Sequence, residues 1–261
     1  MSKQITLQEA AASIPDGSLL ALGGNALQRS PIAFVLELIA QNKKDLSVIK
    51  TAGALDVDLL ATAKSIGSVY GGYIGFEMFG LAQSYRKGVQ NGEIIVHEHA
   101  CASVIAGLRA SIYGVPFQPI NGFQGSDLPE LTGLIRKVTC PFTNKETTVV
   151  PALRPNVTII HANIADEKGN AYIAGALYED LIMVKAAERV IVTAEKLISS
   201  EDWTVTPQVP GFLVEGVVLA EKGAAPGSCA TLYAIDEAEV ITYLEDPVAY
   251  LADKKEAPSH V

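Results

Sequence analysis

The stretch Asn156–Glu195 constrains the fold more than any other part of this chain. Val157–Ala162 is an apolar run rich in β-branched residues, the pattern of a buried strand. Asp166–Asn170, Asp-Glu-Lys-Gly-Asn, follows as a turn, with Gly169 free to take a positive φ. A second short apolar run, Ala171–Ala174, leads to a helix around Glu179–Glu188. Val190–Ala194 then reads as another buried strand.

The rest of the chain repeats this alternation. Ser18–Leu22 is a short buried run ending at Gly23-Gly24. Ser30-Pro31 opens a helix over Pro31–Gln41: Ser30 can accept from free N–H groups, and Pro31 suits the first helical position. Ile32, Val35, Leu36 and Ile39 give that helix one buried stripe. Leu46–Ile49 reads as a strand, Val57–Ile66 as a helix, Ser68–Ile74 as a strand and Leu81–Val89 as a helix. Glu93–Val96 starts another strand, Cys101–Tyr113 another helix, and Pro116–Ile120 is strand-like. The polar stretch Thr139–Thr148 reads as a hairpin or excursion before Val149–Leu153. The expected fold is α/β, an open, mainly parallel sheet with helices on both faces. No composition shift marks a boundary, so residues 1–261 are read as one domain. The charged tail Asp253–Val261 is expected to fray.

Composition narrows the function classes. A chain of 261 residues, 49% of them hydrophobic, can bury a sizeable core. The net charge of −9 and the absence of a Lys/Arg run argue against nucleic-acid binding. Cys101, Cys140 and Cys229 are widely spaced, odd in number and lack a C-x-x-C, which reads as reduced thiols in a cytosolic protein. The N-terminus has no apolar core of a signal peptide. No uncharged apolar run reaches about 18 residues, so a cytoplasmic protein without a membrane span is expected.

Three glycine-rich segments stand at strand ends, where open α/β sheets bind ligands. At Gly23-Gly24-Asn25, backbone N–H groups can bind a carboxylate or a developing oxyanion; a tight turn without a ligand explains the same pair. The segment is neither a G-x-G-x-x-G fingerprint nor a P-loop. The second end, Gly71–Glu77, carries Gly75 and Phe76. The third is Gln124-Gly125-Ser126. If their strands run parallel, the three loops converge on one rim. His97-Glu98-His99 continues the Glu93 strand, and alternation puts both histidines on one face and Glu98 on the other. Two histidines without a third ligand, outside an H-E-x-x-H, are weak for zinc, so no metal is expected. Glu98 at a strand end is an acid/base candidate, although a surface carboxylate is the simpler reading. His161, inside an apolar strand, reads as a satisfied core histidine. No G-x-S-x-G elbow is present.

These segments occur in an order that resembles the A (alpha) chain of the class I coenzyme A transferases, of the glutaconate CoA-transferase type. The run GSLLALGGNALQRSPIAFVLELI resembles the family's N-terminal glycine loop. Glu98 followed by Gly107-Leu108-Arg109-Ala110 and Gly114-Val115-Pro116-Phe117 resembles its middle block. The D-x-x-G-N turn, KAAERVIVTAEKLISSE and VPGFLVEGVV resemble its last blocks. The resemblance runs from Thr6 to about Asp246 and implies the CoA-transferase/NagB-RpiA-like fold. It also implies a heterodimer or larger heteromer with a B subunit, whose glutamate attacks an acyl-CoA thioester. That nucleophile lies in an E-x-G-x-x-G type motif. Glu167-Lys168-Gly169 and Glu221-Lys222-Gly223 lack its second glycine, so the nucleophile is expected on another polypeptide. By resemblance, Gly23, Gly24, Asn25, Gly75, Phe76, Gln124, Gly125 and Ser126 form substrate-side walls. A coenzyme A thioester is the substrate, and no permanently bound cofactor is implied. The same family architecture hosts a CoA-ester decarboxylase with a cysteine in its B subunit. It also hosts a ring-opening CoA-ester hydrolase in which a glutamate at a position resembling Glu98 is catalytic. A non-catalytic ligand-binding protein of this fold is a further alternative.

Overall fold

The computed structural model describes residues 2–123 and 125–256. From the N-terminus come α1 (Leu7–Ala12), β1 (Leu19–Leu22), α2 (Ile32–Ala40), β2 (Leu46–Gly53), α3 (Leu55–Thr62) and β3 (Ile66–Ile74). The middle holds α4 (Gln83–Gln90), β4 (Ile95–Glu98), α5 (Cys101–Ile112), β5 (Phe117–Ile120), α6 (Leu128–Thr132), β6 (Arg136–Thr139) and β7 (Glu146–Pro151). The last third holds β8 (Val157–Asp166), β9 (Ala171–Tyr172), α7 (Asp180–Ala186), β10 (Arg189–Ile198), β11 (Gly216–Leu219), α8 (Glu237–Glu245) and α9 (Pro247–Glu256).

The main sheet is open, ordered β11-β10-β8-β1-β2-β3-β4, and every pairing along that path is parallel. The central strands read as continuous apolar runs because both faces are covered. Leu20, Leu22, Val48, Val157 and Ile159 pack with α1, α2, α3, α8 and α9 on one face. Ala21 and Ile49 pack with Val104 and Leu108 of α5 and Met183 of α7 on the other. β8 is longer than the apolar run alone indicates, and beyond the edge of β1 it pairs antiparallel with β9.

Four local expectations change. The strand-like Pro116–Ile120 does not join the parallel sheet: β5 pairs with β7 in a separate antiparallel sheet ordered β5-β7-β6, whose β6-β7 hairpin contains the polar Thr139–Thr148 stretch. The helix expected over Val57–Ile66 begins at Leu55 and ends at Thr62, and Ile66 opens β3 instead. Ser30 does not cap α2; Pro31 holds the cap position, and the Ser30 hydroxyl donates to the Ala26 carbonyl, 3.0 Å away. At the C-terminus α9 continues through Glu256, and residues 257–261 lie outside the described residues. Among the described residues, no helix is long and apolar enough to cross a membrane.

Candidate active site at the carboxyl rim of the sheet

Because the main strands are parallel, their carboxyl ends share one rim. The chain winds from β1 to one side through β2, β3 and β4, and to the other side through β8, β10 and β11. The β1/β8 boundary is therefore a topological switch point, where open sheets place a ligand crevice. The segment Gly23-Gly24-Asn25 leaves β1 there.

Both glycines are demanded by the loop's own packing. A Cβ on Gly23 would lie 2.6 Å from Asp180 Oδ1, and one on Gly24, at φ +71°, would lie 2.5 Å from the backbone of Gln28 and Arg29. The loop's N–H groups are spent inside the chain. Gly23 donates to the Ile159 carbonyl, Gly24 to Asp180 Oδ1, Asn25 to the Gln28 carbonyl and Ala26 to the Ala52 carbonyl, each at 2.8 Å. In this conformation the Gly23 and Gly24 N–H groups are engaged within the chain, in keeping with the tight-turn reading of the pair. The half-buried side chain of Asn25 makes no hydrogen bond among the described residues and is the polar group the loop leaves free.

Two buried ion pairs fix this loop from beneath. Arg29, 3% exposed, pairs with Asp180 and donates to the carbonyls of His161 (2.8 Å) and Ala176 (3.0 Å). Lys50 lies 2.9 Å from Asp56 Oδ2 and donates to Ser30 Oγ at 3.1 Å and to the Gly23 carbonyl. Removing one partner of such a pair strands a charge in a medium that solvates it poorly.

Gly75 and Phe76 close β3 on the same rim. The Gly75 N–H donates to the Gly53 carbonyl at 2.9 Å, and a Cβ there would meet Tyr73 Oη at 2.7 Å. Phe76 is fully buried and stacks on Tyr243 with ring centroids 5.8 Å apart, so it floors the rim from the core side. Glu98 ends β4 with its side chain exposed and makes no ion pair or hydrogen bond among the described residues. Burial, then the Glu98 charge, push the nearby Tyr85 hydroxyl up to about 12.

The flanking histidines both meet Tyr70, as strand alternation requires. His97 stacks on it at 4.1 Å between centroids, and His99 tilts against it at 6.3 Å. His99 is buried, and burial followed by the neighbouring His97 push it down to about 4. Its Nδ1 lies 2.9 Å from Ser103 Oγ. The Ser103 hydroxyl proton goes to the Ala100 carbonyl. Nδ1 must therefore carry the hydrogen, and His99 is a neutral imidazole.

Gly125 and Ser126 sit after β5, outside the parallel sheet. They line a cleft of about 380 Å³ with Phe123, Lys137, Glu146 and Thr148. α6, which follows them, packs against β4 and brings that loop to the Glu98 side of the rim. Gln124 lies outside the described residues. The structure thus places Gly23–Asn25, Gly75–Phe76 and Glu98 on one rim, with Gly125–Ser126 approaching from a different sheet.

The sequence reading missed Arg29, Lys50, Asp56 and Asp180, which set the loop's geometry. Their signal was present: Lys50 interrupts an apolar strand run, and a charge there needs a buried partner. The D-x-x-G-N turn is structural. Asp166 Oδ1 accepts from Lys168 N and Asn170 N, and Oδ2 from Asn170 Nδ2 and Trp203 Nε1, at 2.7–2.9 Å.

Residues 4–220 match the family described as Coenzyme A transferase, and the chain belongs to that family. Its fold superposes on glutaconate coenzyme A-transferase from Acidaminococcus fermentans with a TM-score of 0.90 at 28% identity, covering 97% of this chain and 86% of that one. It superposes on a variant of the decarboxylase AibA/AibB with a TM-score of 0.89 at 34% identity, covering 98% of both chains. The Cholesterol ring-cleaving hydrolase IpdA subunit of Rhodococcus jostii is 31% identical over 90% of this chain and 83% of its own length. A longer relative, an uncharacterized protein of Archaeoglobus fulgidus, is 32% identical over 93% of this chain, which spans 55% of it. Transferase, decarboxylase and hydrolase thus stand at similar distances from this chain.

Proposed function

We propose that this chain is the alpha subunit of a heteromeric class I CoA-transferase. It moves coenzyme A between an acyl-CoA and a short mono- or dicarboxylic acid, with the nucleophilic glutamate on a B subunit. The observation that carries this reading is that neither of the chain's own glutamate-glycine candidates stands in the nucleophile's setting. Glu167 Oε2 accepts the Ser200 N–H at 3.0 Å beside the structural D-x-x-G-N turn, away from the switch point. Glu221 precedes Lys222 at φ +53°, in a tight turn without the second glycine of the nucleophile motif.

In this mechanism the partner's glutamate carboxylate attacks the thioester carbonyl carbon, forming an acyl-glutamyl anhydride and releasing CoA thiolate. The thiolate attacks the glutamyl carbonyl and expels the first carboxylate. The acceptor carboxylate then attacks the glutamyl thioester, and returning thiolate completes the exchange. This chain supplies a rigid wall: Asn25 leaves β1 at the switch point with its side chain unengaged among the described residues, while Arg29, Lys50 and Asp180 hold the loop that carries it. The purified chain alone gives no CoA exchange, and adding a B subunit with the glutamate motif restores it. Robust exchange by the single chain overturns the reading.

A second reading, one half of a CoA-ester hydrolase, is favoured by one observation: Glu98 is an exposed rim carboxylate with no hydrogen-bond or ion-pair partner among the described residues. Glu98→Gln separates the two. Hydrolysis lost with assembly intact supports Glu98 as the base; CoA exchange retained in the variant supports the transferase.

A further inference from the structure

The rim carries a second cluster that the transferase reading does not use. His161 on β8, Glu195 on β10 and Cys229 in the loop between β11 and α8 bring their donor atoms together, all within 4.8 Å of one another. One point therefore lies no more than about 2.8 Å from all three, against about 2.0–2.3 Å for zinc bound by nitrogen, oxygen and sulfur.

The supporting residues are placed as metal ligands require. Thr193 Oγ1 gives its hydrogen to the Ile160 carbonyl, so it accepts from His161 Nδ1, 2.9 Å away. That fixes the hydrogen on Nδ1 and aims Nε2 at Glu195 Oε1, 2.7 Å away. Orienting a histidine through its second nitrogen is the usual outer support of a metal ligand. Glu195 is held by the Tyr233 hydroxyl and by the Lys222 N–H at 2.7 Å. Cys229 is fully buried, and its sulfur makes no hydrogen bond among the described residues. A cleft of about 370 Å³, lined by Asn163, Glu195, Lys222 and Leu232, reaches the cluster at Glu195 and gives an ion a path to it.

We infer that His161, Glu195 and Cys229 form a binding site for one divalent transition-metal ion of the zinc type. The ion replaces the proton bridging His161 Nε2 and Glu195 Oε1, and it displaces the Cys229 thiol proton. Two protons leave as two positive charges enter, and the thiolate and carboxylate neutralise the ion in a buried place. The site ties β8 and β10 to the loop whose Ser228 carbonyl accepts the Arg29 N–H at 2.7 Å, so the ion braces one side of the switch-point crevice. The inference is independent of which CoA reaction the enzyme runs.

The test uses the full chain stripped with a chelator and dialysed against zinc or cobalt(II). One equivalent of zinc is expected, together with a near-ultraviolet thiolate-to-cobalt band. Cys229→Ser abolishes the band, and Cys101→Ser leaves it intact. Thr193→Val, which keeps all three ligands and removes only the support of Nδ1, weakens zinc binding by about 10–100-fold. Circular dichroism verifies that each variant is folded. Absence of stoichiometric zinc in the wild-type chain overturns the inference, as does a cobalt band that survives Cys229→Ser.

Discussion

Replacing Lys50 by Met tests the buried framework under the glycine loop most sharply. Lys50 and Asp56 are both fully buried, and the ion pair is the only charge compensation either receives among the described residues. Asp56 Oδ1 accepts the N–H groups of Ala54 and Val57, each at 2.9 Å, so its carboxylate also starts α3. Methionine matches the volume of the lysine stem but leaves Asp56 Oδ2 as an unpaired buried charge. Breaking a pair of this kind costs about 3–5 kcal/mol. For a chain of this size each kcal/mol moves Tm by about 2–4 °C, so the variant should melt roughly 6–20 °C lower. Urea unfolding measures the loss directly, as a lower midpoint at unchanged slope. Adding Asp56→Asn removes the stranded charge while keeping an acceptor for the two N–H groups, and should recover at least half of the loss. A single-variant loss under about 1 kcal/mol, or a double variant no better than Lys50→Met, would refute the claim that burial makes this pair indispensable.

Three further outcomes are expected. Asp166→Ala removes four hydrogen bonds to one carboxylate, including that from the only tryptophan, and should cost about 2–3 kcal/mol with a red-shifted Trp203 emission; unchanged emission contradicts the assigned turn. Burial raises the Asp166 pKa, but the bonds from Asn170, Trp203 and Lys168 outweigh it and hold the group below the usual value of 3.8. Its stabilisation is therefore complete above that value and lost as pH falls through the lower folded one, which the same emission follows in an acid titration. His99, pushed down to about 4 from 6.5, takes up its proton more readily unfolded than folded, so stability falls by up to about 3 kcal/mol as pH drops from 6.5 towards 4. His99→Gln flattens that limb of the urea midpoint, and an unaltered limb contradicts the neutral imidazole.

The parallel core was legible in the sequence because strands buried on both faces read as largely apolar runs. Val157–Ala162, Val190–Ala194 and Leu46–Ile49 all lie in the main sheet. Pro116–Ile120 misled because a five-residue strand-like stretch carries no information about its partner, and β5 pairs with a strand a whole hairpin away. α1 went unread although Thr6 and Glu9 spell a capping box, which the structure forms with both reciprocal bonds. The rim was legible as a set of strand ends. Its geometry was not, because that depends on long-range pairs such as Arg29 with Asp180, residues that no local pattern joins.

That dependence alters what a glycine pair at a strand end implies. At Gly23-Gly24 the absent side chains make room for Asp180 and for the backbone at Gln28 and Arg29. The N–H groups that glycine usually frees for a ligand are consumed in holding that packing. The loop is therefore rigid and self-satisfied, and the polarity it offers is the Asn25 carboxamide, fixed from below by two buried ion pairs. A loop of this kind serves as a wall with one adjustable side chain. On the proposed transferase reading, the donors that stabilise an oxyanion then have to come from elsewhere on the rim or from the proposed B subunit. On that same proposed reading, exchange of Asn25 should alter which acyl acid is accepted more than the rate constant of the covalent steps.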